Sequence, residues 1–475
     1  MHNPPKAAQA KPLYDLISIL ERPMDIRKIK RIAAIFVFAM FATMLILLAT
    51  INPGEEVAQT PESNVGDNDI HVVTPPIEDN NEPLSPDINI EEPSENLKED
   101  SNQIDKVSVT EEVLPDSLRT IAEKYSVTGM SAIVIENGQI SHAYSYGVRN
   151  METGDPFNSA SVLRVASVSG LISSIGVMKL ADEGIIDLDE PIGNYLGYTV
   201  VNPYNQKAIT LRQILTHTAS ISDYGAYDKV TNNELEYQTL REMLSGTYAK
   251  SNFYDLLPGY RYAYSNFGGA IISAIVSSVT QKPFNDFMAE ILFKPLNVDA
   301  AFMSTEINER SNISTIYRQG KVSYSLDKMD SFSEKLQSIS PEDNYRCSHA
   351  NLYINSKDLA RITLLLINGG NVESVSILSK TAVDTMMETT ANGTLYSDVG
   401  VGLYISKYND IVDGRTLYGQ QGGAYGATAM TFFDPQDKSG VVLLVNGSSI
   451  AVNDNGISVM GSAVINEIYK SIIGN

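Results

Sequence analysis

Residues 164–172 read RVASVSGLI, and the interpretation of the whole chain starts from them. It predicts the start of a helix, because apolar residues at 168, 171, 172, 175 and 178 recur at the i, i+3, i+4 spacing of one helix face. Glu183-Gly184 should end this helix, with Gly184 at the C′ position that favours glycine. Ser167 is therefore placed at a helix N-terminus, where a serine standing alone is ordinarily an N-cap.

Other segments of the chain favour a different interpretation of Ser167. PGYRYAYSNFGG precedes a second predicted apolar helix over 270–280, and YGQQGG precedes a predicted strand. Between them lie ILFKPL at 291–296, SKDLAR at 356–361 and NGG at 368–370. The order and wording of these segments resemble the serine β-lactamase and penicillin-binding protein superfamily, in its class C β-lactamase and D-alanyl-D-alanine carboxypeptidase branch. The resemblance covers roughly residues 115–472.

The resemblance implies three catalytic motifs: Ser-x-x-Lys at a helix start, Tyr-x-Asn, and Lys/His-x-Gly on a strand. Ser167 matches the nucleophile, and Tyr264 and Asn266 match the second motif. A serine hydroxyl needs a neighbouring base or cation at neutral pH, and a lysine at i+3 shares its helix face. Backbone N–H groups at the helix start and on the strand are expected to form an oxyanion hole.

Two positions depart from that pattern. Gly170 stands where the family has its lysine, and a glycine there leaves room where a lysine stem would stand. Gln420 stands where the third motif has Lys or His, followed by Gly422 and Gly423 in the expected substrate-binding strand. Both losses remove cations from one pocket. They predict impaired proton transfer and no cationic clamp for a substrate carboxylate.

Four further residues are interpreted as having no catalytic role. The literal Ser325-x-x-Lys328 lies in a polar stretch without helical pattern and is taken as chance. His217 in LTHT is expected to be a structural hydrogen-bonding residue. Cys347 is expected to be buried or inert.

The fold expected for residues 113–475 is α/β (α+β), of β-lactamase/transpeptidase type: an antiparallel sheet flanked by helices, plus a helical subdomain. A helix is predicted near 115–125, then a hairpin turning at Asn137-Gly138, a strong two-residue turn signal. Strands are predicted at 427–435 and 440–448, followed by a helix around 457–472. One sheet should thus be built from both ends of the chain, with helices between.

Composition excludes several classes of protein. The net charge of −22 makes nucleic acid an unsuitable partner. A single cysteine rules out an intrachain disulfide framework and any multi-cysteine zinc site, and no HExxH is present. No metal and no cofactor is therefore expected.

The N-terminal quarter has a different character. Residues 1–31 carry seven Lys and Arg against three Asp and Glu, and 32–51 contain no charge. Twenty apolar residues match the bilayer core, so 32–51 is predicted to be a transmembrane helix with a cytoplasmic N-terminus and an extracellular C-terminal domain. A buried helix or a signal peptide is the alternative. Residues 52–112 hold 17 Asp and Glu and seven Pro, which predicts a disordered acidic stalk rather than an acidic binding tail.

Two functions remain open at this stage. One is an active membrane-anchored serine hydrolase (a carboxypeptidase, esterase or β-lactamase) with Tyr264 as base. The other is a pseudoenzyme that uses the same pocket for binding or regulation. The partners implied by the resemblance are cell-wall peptide, a β-lactam, or a small ester or peptide.

Overall fold

A computed structural model describes residues 104–389, 399–449 and 451–474. Their central element is an eight-stranded sheet with strand order β1-β3-β2-β15-β14-β13-β12-β11. Strands β2 and β3 come from the start of the domain and β13–β15 from its end, and β2 pairs directly with β15. The prediction of one sheet built from both ends of the chain is confirmed.

The strands of this sheet are β1 (Glu111–Glu112), β2 (Gly129–Glu136), β3 (Gln139–Gly147), β11 (Val399–Val401), β12 (Ser406–Tyr408), β13 (Leu417–Ala424), β14 (Ala427–Asp434) and β15 (Ser439–Val445). Smaller sheets contain β4 (Val162–Arg164), β5 (Ala300–Ala301), β6 (Ile316–Arg318), β7 (Lys321–Tyr324), β8 (Tyr353–Asn355), β9 (Asn371–Val372) and β10 (Val375–Ser376).

The helices lie mostly between the two sets of sheet strands in the chain. They are α1 (Asp116–Lys124), α2 (Val168–Asp182), α3 (Ile192–Leu196), α4 (Leu211–Leu215), α5 (Ala226–Thr231), α6 (Leu240–Leu244), α7 (Asn266–Thr280), α8 (Phe284–Met288), α9 (Leu326–Gln337), α10 (Ser356–Ile367), α11 (Lys380–Met387) and α12 (Val459–Ile468). Five-residue π-helical turns follow α8 and α12, at Ala289–Phe293 and Tyr469–Ile473.

The sheet is covered on both faces, and the side chains of β2 point alternately into the two cores. Ile133 and Ile135 pack into the larger core, which includes residues of α2, α7 and α10. Met130, Ala132 and Val134 point the other way, into a second core with α1 and α12. Successive strand side chains point to opposite faces, so a strand buried on both faces must be apolar throughout. This is why β2 reads GMSAIVIE with seven buried residues in succession.

The hairpin turn follows its sequence signal. Asn137 and Gly138 have φ of 51° and 74°, the left-handed pair that a type I′ turn requires. The two strands flanking this turn are paired antiparallel over their length, with one register shift at Val134/Ile135.

The sheet is mixed, so the prediction of an antiparallel sheet holds for all of its strand pairs except one. The two-residue strand β1 pairs parallel to β3 at the sheet edge. Just before it, Ile104 is buried, and its carbonyl accepts a hydrogen bond from Asn297 Nδ2 at 2.9 Å. Arg361 Nη1 donates to the carbonyl of Asp105 at 2.6 Å. Residues 104–112, which the sequence assigned to the stalk, therefore contact the folded domain.

No helix among residues 104–389, 399–449 and 451–474 has both the length and the apolar character to cross a bilayer. The predicted span at 32–51 and most of the predicted stalk lie outside the described residues.

Candidate active site

A cavity of about 510 Å³ lies where the start of α2, the loop before α7 and strand β13 meet. The structure brings five of the predicted site residues to its wall: Ser167, Tyr264, Gln420, Gly422 and Gly423. Asn266 and Gly170 are not among the residues that line it. We refer to this cavity as the Ser167 pocket.

Ser167 occupies the N-cap position of α2, as predicted, but its side chain makes no capping hydrogen bond. The residue before it, Ala166, has a φ of 48°, an uncommon value for a residue with a side chain. A Cβ at Gly422 would overlap the carbonyl of Val165 and come within 2.8 Å of the Ser167 nitrogen. Glycine at 422 therefore lets strand β13 approach the start of α2, which brings the backbone of both predicted oxyanion elements together.

Tyr264 faces Ser167. Burial raises the pKa of the Tyr264 phenol to about 12, and interaction with the Ser167 side chain only partly opposes that rise. The buried hydroxyl has no partner of good hydrogen-bond geometry among the described residues. At neutral pH the phenol is therefore almost wholly protonated, which makes it a poor acceptor of the Ser167 proton.

Asn266 does not line the pocket and is hydrogen-bonded to Asp223, an acid for which the sequence predicted no role. The carboxylate of Asp223 accepts hydrogen bonds from Asn266 Nδ2 at 2.6 Å and from the Asn266 backbone N–H at 2.8 Å. It also accepts from Ser265 Oγ at 2.8 Å and from the Phe267 N–H at 2.9 Å. A carboxylate at a helix N-terminus is stabilising, so Asp223 fixes the start of α7.

A tyrosine fills the space left by the missing lysine. A Cβ at Gly170 in α2 would overlap the ring of Tyr404, and a Cβ at Gly269 in α7 would overlap its hydroxyl. The two glycines thus form a slot between helices that pack against each other, and the fully buried Tyr404 ring occupies that slot. The expectation that Gly170 leaves open room was wrong.

Tyr404 is held there by its backbone. Its φ is 60°, its N–H donates to the carbonyl of Leu215 at 2.9 Å, and its carbonyl accepts from Gln420 Nε2 at 3.4 Å. Its buried hydroxyl has no described partner, and burial raises its pKa well above the ordinary value. Glycine costs a helix about 1 kcal/mol relative to alanine, so Gly170 and Gly269 hint at close packing there, but they do not indicate which residue fills the space.

Gln420 is used structurally. Its side-chain oxygen accepts the N–H of Gln421 at 2.9 Å, and the residue is buried. Its amide therefore replaces the family's cation with a neutral group whose donor points to the Tyr404 carbonyl.

His217 is buried beside these rings. Its Nδ1 accepts the Ser265 N–H at 3.4 Å, which leaves the proton of the neutral ring on Nε2, an atom without a described partner. Its ring centroid lies 4.3 Å from that of Tyr264 and 4.6 Å from that of Tyr404. Burial, reinforced by His349, lowers the pKa of His217 to about 3. A structural role for His217 fits this geometry.

One charge does line the Ser167 pocket. Arg318, at the end of β6, is the single charged side chain among the described lining residues, and it forms no ion pair with a described acid. Nothing in the sequence distinguished it from other exposed arginines.

Cys347 and the pair Ser325 and Lys328 were expected to have no catalytic role. Cys347 is buried, and burial raises the pKa of its thiol. Ser325 and Lys328 lie at the start of α9, so the expectation that this Ser-x-x-Lys lacks helical structure was wrong. Neither residue lines the Ser167 pocket.

Comparison with known proteins agrees with this geometry. The family model described as Beta-lactamase matches residues 114–456. Penicillin-binding protein 4* of Bacillus subtilis (strain 168) is 24% identical over 189 residues, 38% of this chain and 39% of that protein, so the match spans less than half of that relative.

Solved structures share the fold. An octameric penicillin-binding protein homologue from Pyrococcus abyssi aligns with a TM-score of 0.58 at 20% identity, over 74% of each chain. EstCE1, described as a hydrolase with promiscuous acyltransferase activity, aligns with a TM-score of 0.59 at 17% identity, over 74% of this chain and 98% of its own.

Proposed function

Because the chain belongs to the Beta-lactamase family, whose model matches residues 114–456, we propose that its Ser167 pocket binds a family-type ligand but acylates slowly or not at all. The ligand class is a cell-wall peptide, a β-lactam, or a small ester or peptide. Tyr404 carries this proposal, since its ring occupies the place against Gly170 where the family's proton-transferring lysine would stand.

The remaining groups support the same conclusion. Proton transfer by a positioned side chain contributes roughly 10²–10⁴-fold to rate. Here the lysine is replaced, His217 hydrogen-bonds the Ser265 N–H through Nδ1, and Tyr264 stays protonated. The backbone near Ser167 and Gly422 still offers an oxyanion site, so binding and a slow residual reaction are compatible with the pocket.

Arg318 supports a ligand that carries a carboxylate. It is the single charged side chain among the described residues that line the pocket, and it has no described ion-pair partner. We assign to it the role of carboxylate clamp that the resemblance gives to the position of Gln420. Arg318→Gln should weaken binding of a β-lactam about tenfold, the loss of one charge-assisted contact.

The test uses the full chain and a fluorescent penicillin, with intact-protein mass spectrometry to detect an adduct and fluorescence anisotropy to detect reversible binding. Ser167→Ala is the matched control that keeps the pocket and removes the hydroxyl. We expect similar binding to both proteins and an adduct yield close to that of the control. Fast stoichiometric acylation of Ser167 would overturn the impaired assignment.

An active hydrolase that uses Tyr264 as base is the second candidate, favoured by the contact between Tyr264 and Ser167. It makes a distinct prediction. With a phenol pKa of about 12, the rate should rise about tenfold per pH unit from pH 7 to pH 10, and Tyr264→Phe should abolish that slope. A rate independent of pH, or unchanged in Tyr264→Phe, excludes this mechanism.

We also propose that the domain is extracellular and held to the cell membrane by residues 32–51, with residues 1–31 cytoplasmic and 52–112 as a stalk. The uncharged run with its basic N-terminal flank supports this. Protease added to intact cells should release the folded domain by cutting within 52–112. Complete protection of the domain would contradict this topology.

A further inference from the structure

A second cavity, of about 420 Å³, shares Tyr425 as a wall with the Ser167 pocket. We call it the basic cavity, because four of its lining residues are basic and one is acidic. The basic residues are Arg164, Lys328, Lys335 and Arg346, and the acid is Asp327. This charge pattern stands out in a protein whose overall net charge is −22.

Arg164 is the buried member of the four basic residues that line the basic cavity. It is only 8% exposed, and Nε and Nη2 both donate to the side-chain oxygen of Asn351, at 3.2 and 2.7 Å. Its third nitrogen, Nη1, is buried without any described partner. Asn351 is neutral, so the guanidinium charge is hydrogen-bonded but not neutralised.

Two aromatic rings hold that guanidinium in place. The rings of Tyr324 and Tyr425 stack 4.4 Å apart at 11°, and the Arg164 guanidinium lies 5.3 and 5.4 Å from their centroids. The cation is therefore fixed before any ligand arrives, and a preorganised donor loses little entropy on binding.

The basic cavity carries an excess of positive charge, since Asp327 is the single acid beside four basic lining residues. No carboxylate oxygen of a described residue lies within 4.0 Å of any of its four basic groups. The nearby acid Asp330 is engaged by Arg310 at 2.6 Å. Burial together with Arg164 and Arg346 lowers the pKa of His349 to about 3, which reflects the same positive field. A buried cation without a partner is costly, so this arrangement calls for an anion.

We propose that the basic cavity binds a phosphate group, either free or as a small phosphate monoester, through the positive charge of its four basic lining residues. Four cations against one carboxylate match a group of charge near −2 better than a single carboxylate of charge −1. Lys328 and Lys335, seven residues apart on α9, supply the outer part of the site. This site is independent of any chemistry at Ser167.

The experiment is calorimetric titration of the full chain with inorganic phosphate, glycerol 3-phosphate and acetate at one ionic strength. We expect both phosphates to bind at least tenfold more tightly than acetate. Tighter binding of the monoester than of free phosphate would identify the esterified form as the ligand, and the reverse order would identify the free ion. Binding of acetate as tight as phosphate, or no phosphate binding, would overturn the proposal.

Matched variants locate the site. Lys328→Ala/Lys335→Ala changes two exposed residues and should weaken phosphate binding at least tenfold with little change in melting temperature. Lys207→Ala/Lys470→Ala removes the same charge elsewhere and should leave the affinity unchanged. Equal loss in both pairs would mean nonspecific attraction and would refute the site.

Two single variants complete the set. Arg164→Lys keeps a cation but lacks the planar guanidinium that Asn351 and the two tyrosine rings hold in place, and should also weaken phosphate binding. Ser167→Ala should leave phosphate binding unaltered, so failure of the basic cavity and failure of the Ser167 assignment remain distinguishable.

Discussion

The Ser167 pocket and the basic cavity are neighbours that differ in charge: the first has few charged groups, and the second has basic groups without a paired anion. The Ser167 pocket has a nucleophile position whose surroundings are rings and amides, and its single described charge, Arg318, is exposed at its rim. The basic cavity has a buried, oriented guanidinium and no anion to pair with it. Tyr425 lines both.

The two cavities therefore differ in how their walls treat charge. In the Ser167 pocket, burial around Tyr264, Tyr404 and His217 keeps each of these groups neutral near pH 7. In the basic cavity, stacking on two rings and the amide of Asn351 keep a charge buried. Neutral walls favour reversible binding, whereas a fixed charge favours an anionic ligand.

The first prediction has the largest expected effect and concerns how Tyr404 limits the rate of acylation of Ser167. Gly170→Lys/Tyr404→Gly restores the lysine and removes the ring, and glycine suits the φ of 60° at 404. Acylation of Ser167 by a β-lactam should then rise roughly 10²–10⁴-fold. Time-resolved mass spectrometry of the adduct gives the rate.

Each single variant is the control for that gain. Gly170→Lys alone meets the Tyr404 ring and should not acylate faster, and Tyr404→Gly alone lacks a base. If Gly170→Lys, with or without Gln420→His, matched the double variant, Tyr404 would not be the obstacle we describe.

The second prediction concerns two buried histidines, His217 and His349. His217 and His349 have folded-state pKa values of about 3, below the 6.5 of an unfolded histidine, so the unfolded chain binds more protons below pH 6.5. Stability should therefore fall as the pH drops from about 6.5 towards 3. Between pH 7 and pH 5 the loss is about 2 kcal/mol per histidine.

Urea unfolding at the two pH values measures this loss, and His349→Gln provides the comparison. The variant should lose about 2 kcal/mol less than the parent over the same interval. An identical drop in both proteins would show that His349 does not stay neutral in the fold.

The sequence predicted the parts of this molecule that local chemistry determines. Asn137-Gly138 predicted its turn, the apolar spacing after Ser167 predicted α2, and the two strands near the C-terminus lie close to their expected bounds. Each of these signals lies within a few residues of the structure it specifies, so no tertiary information was needed.

The features that were missed depend on contacts between distant segments. Gly170 and Tyr404 come from opposite ends of the domain, and nothing in the sequence around either residue indicates that they meet. Asp223 looked like an ordinary loop acid, although it binds the start of α7. The parallel edge strand β1 is two residues long, too short for any periodicity to show.

The third prediction concerns the stability that the packing of Tyr404 against Gly170 provides. Gly170→Ala should destabilise the domain by about 1–3 kcal/mol, because the added methyl overlaps the Tyr404 ring. This is opposite to the gain of about 1 kcal/mol that helix propensity gives alanine. In a Tyr404→Ala background the same change should be neutral or stabilising. Additive effects in this double-mutant cycle, measured by urea unfolding, would mean that the ring does not fill the slot.

The last and smallest effect concerns Asp223, whose carboxylate accepts hydrogen bonds at the start of α7. Asp223→Asn removes the charge at the start of α7 and replaces an acceptor that faces four donors, so it should cost about 1–2 kcal/mol of stability. Asp116→Asn, in the exposed first turn of α1, is the matched control and should cost less than about 0.5 kcal/mol, with a stronger dependence on salt. Asp223→Asn should also leave phosphate affinity unchanged, because Asp223 does not line the basic cavity. If phosphate bound more tightly to this variant, Asp223 would be acting as an anion for the basic cavity, and the charges of the two regions would be coupled rather than separate.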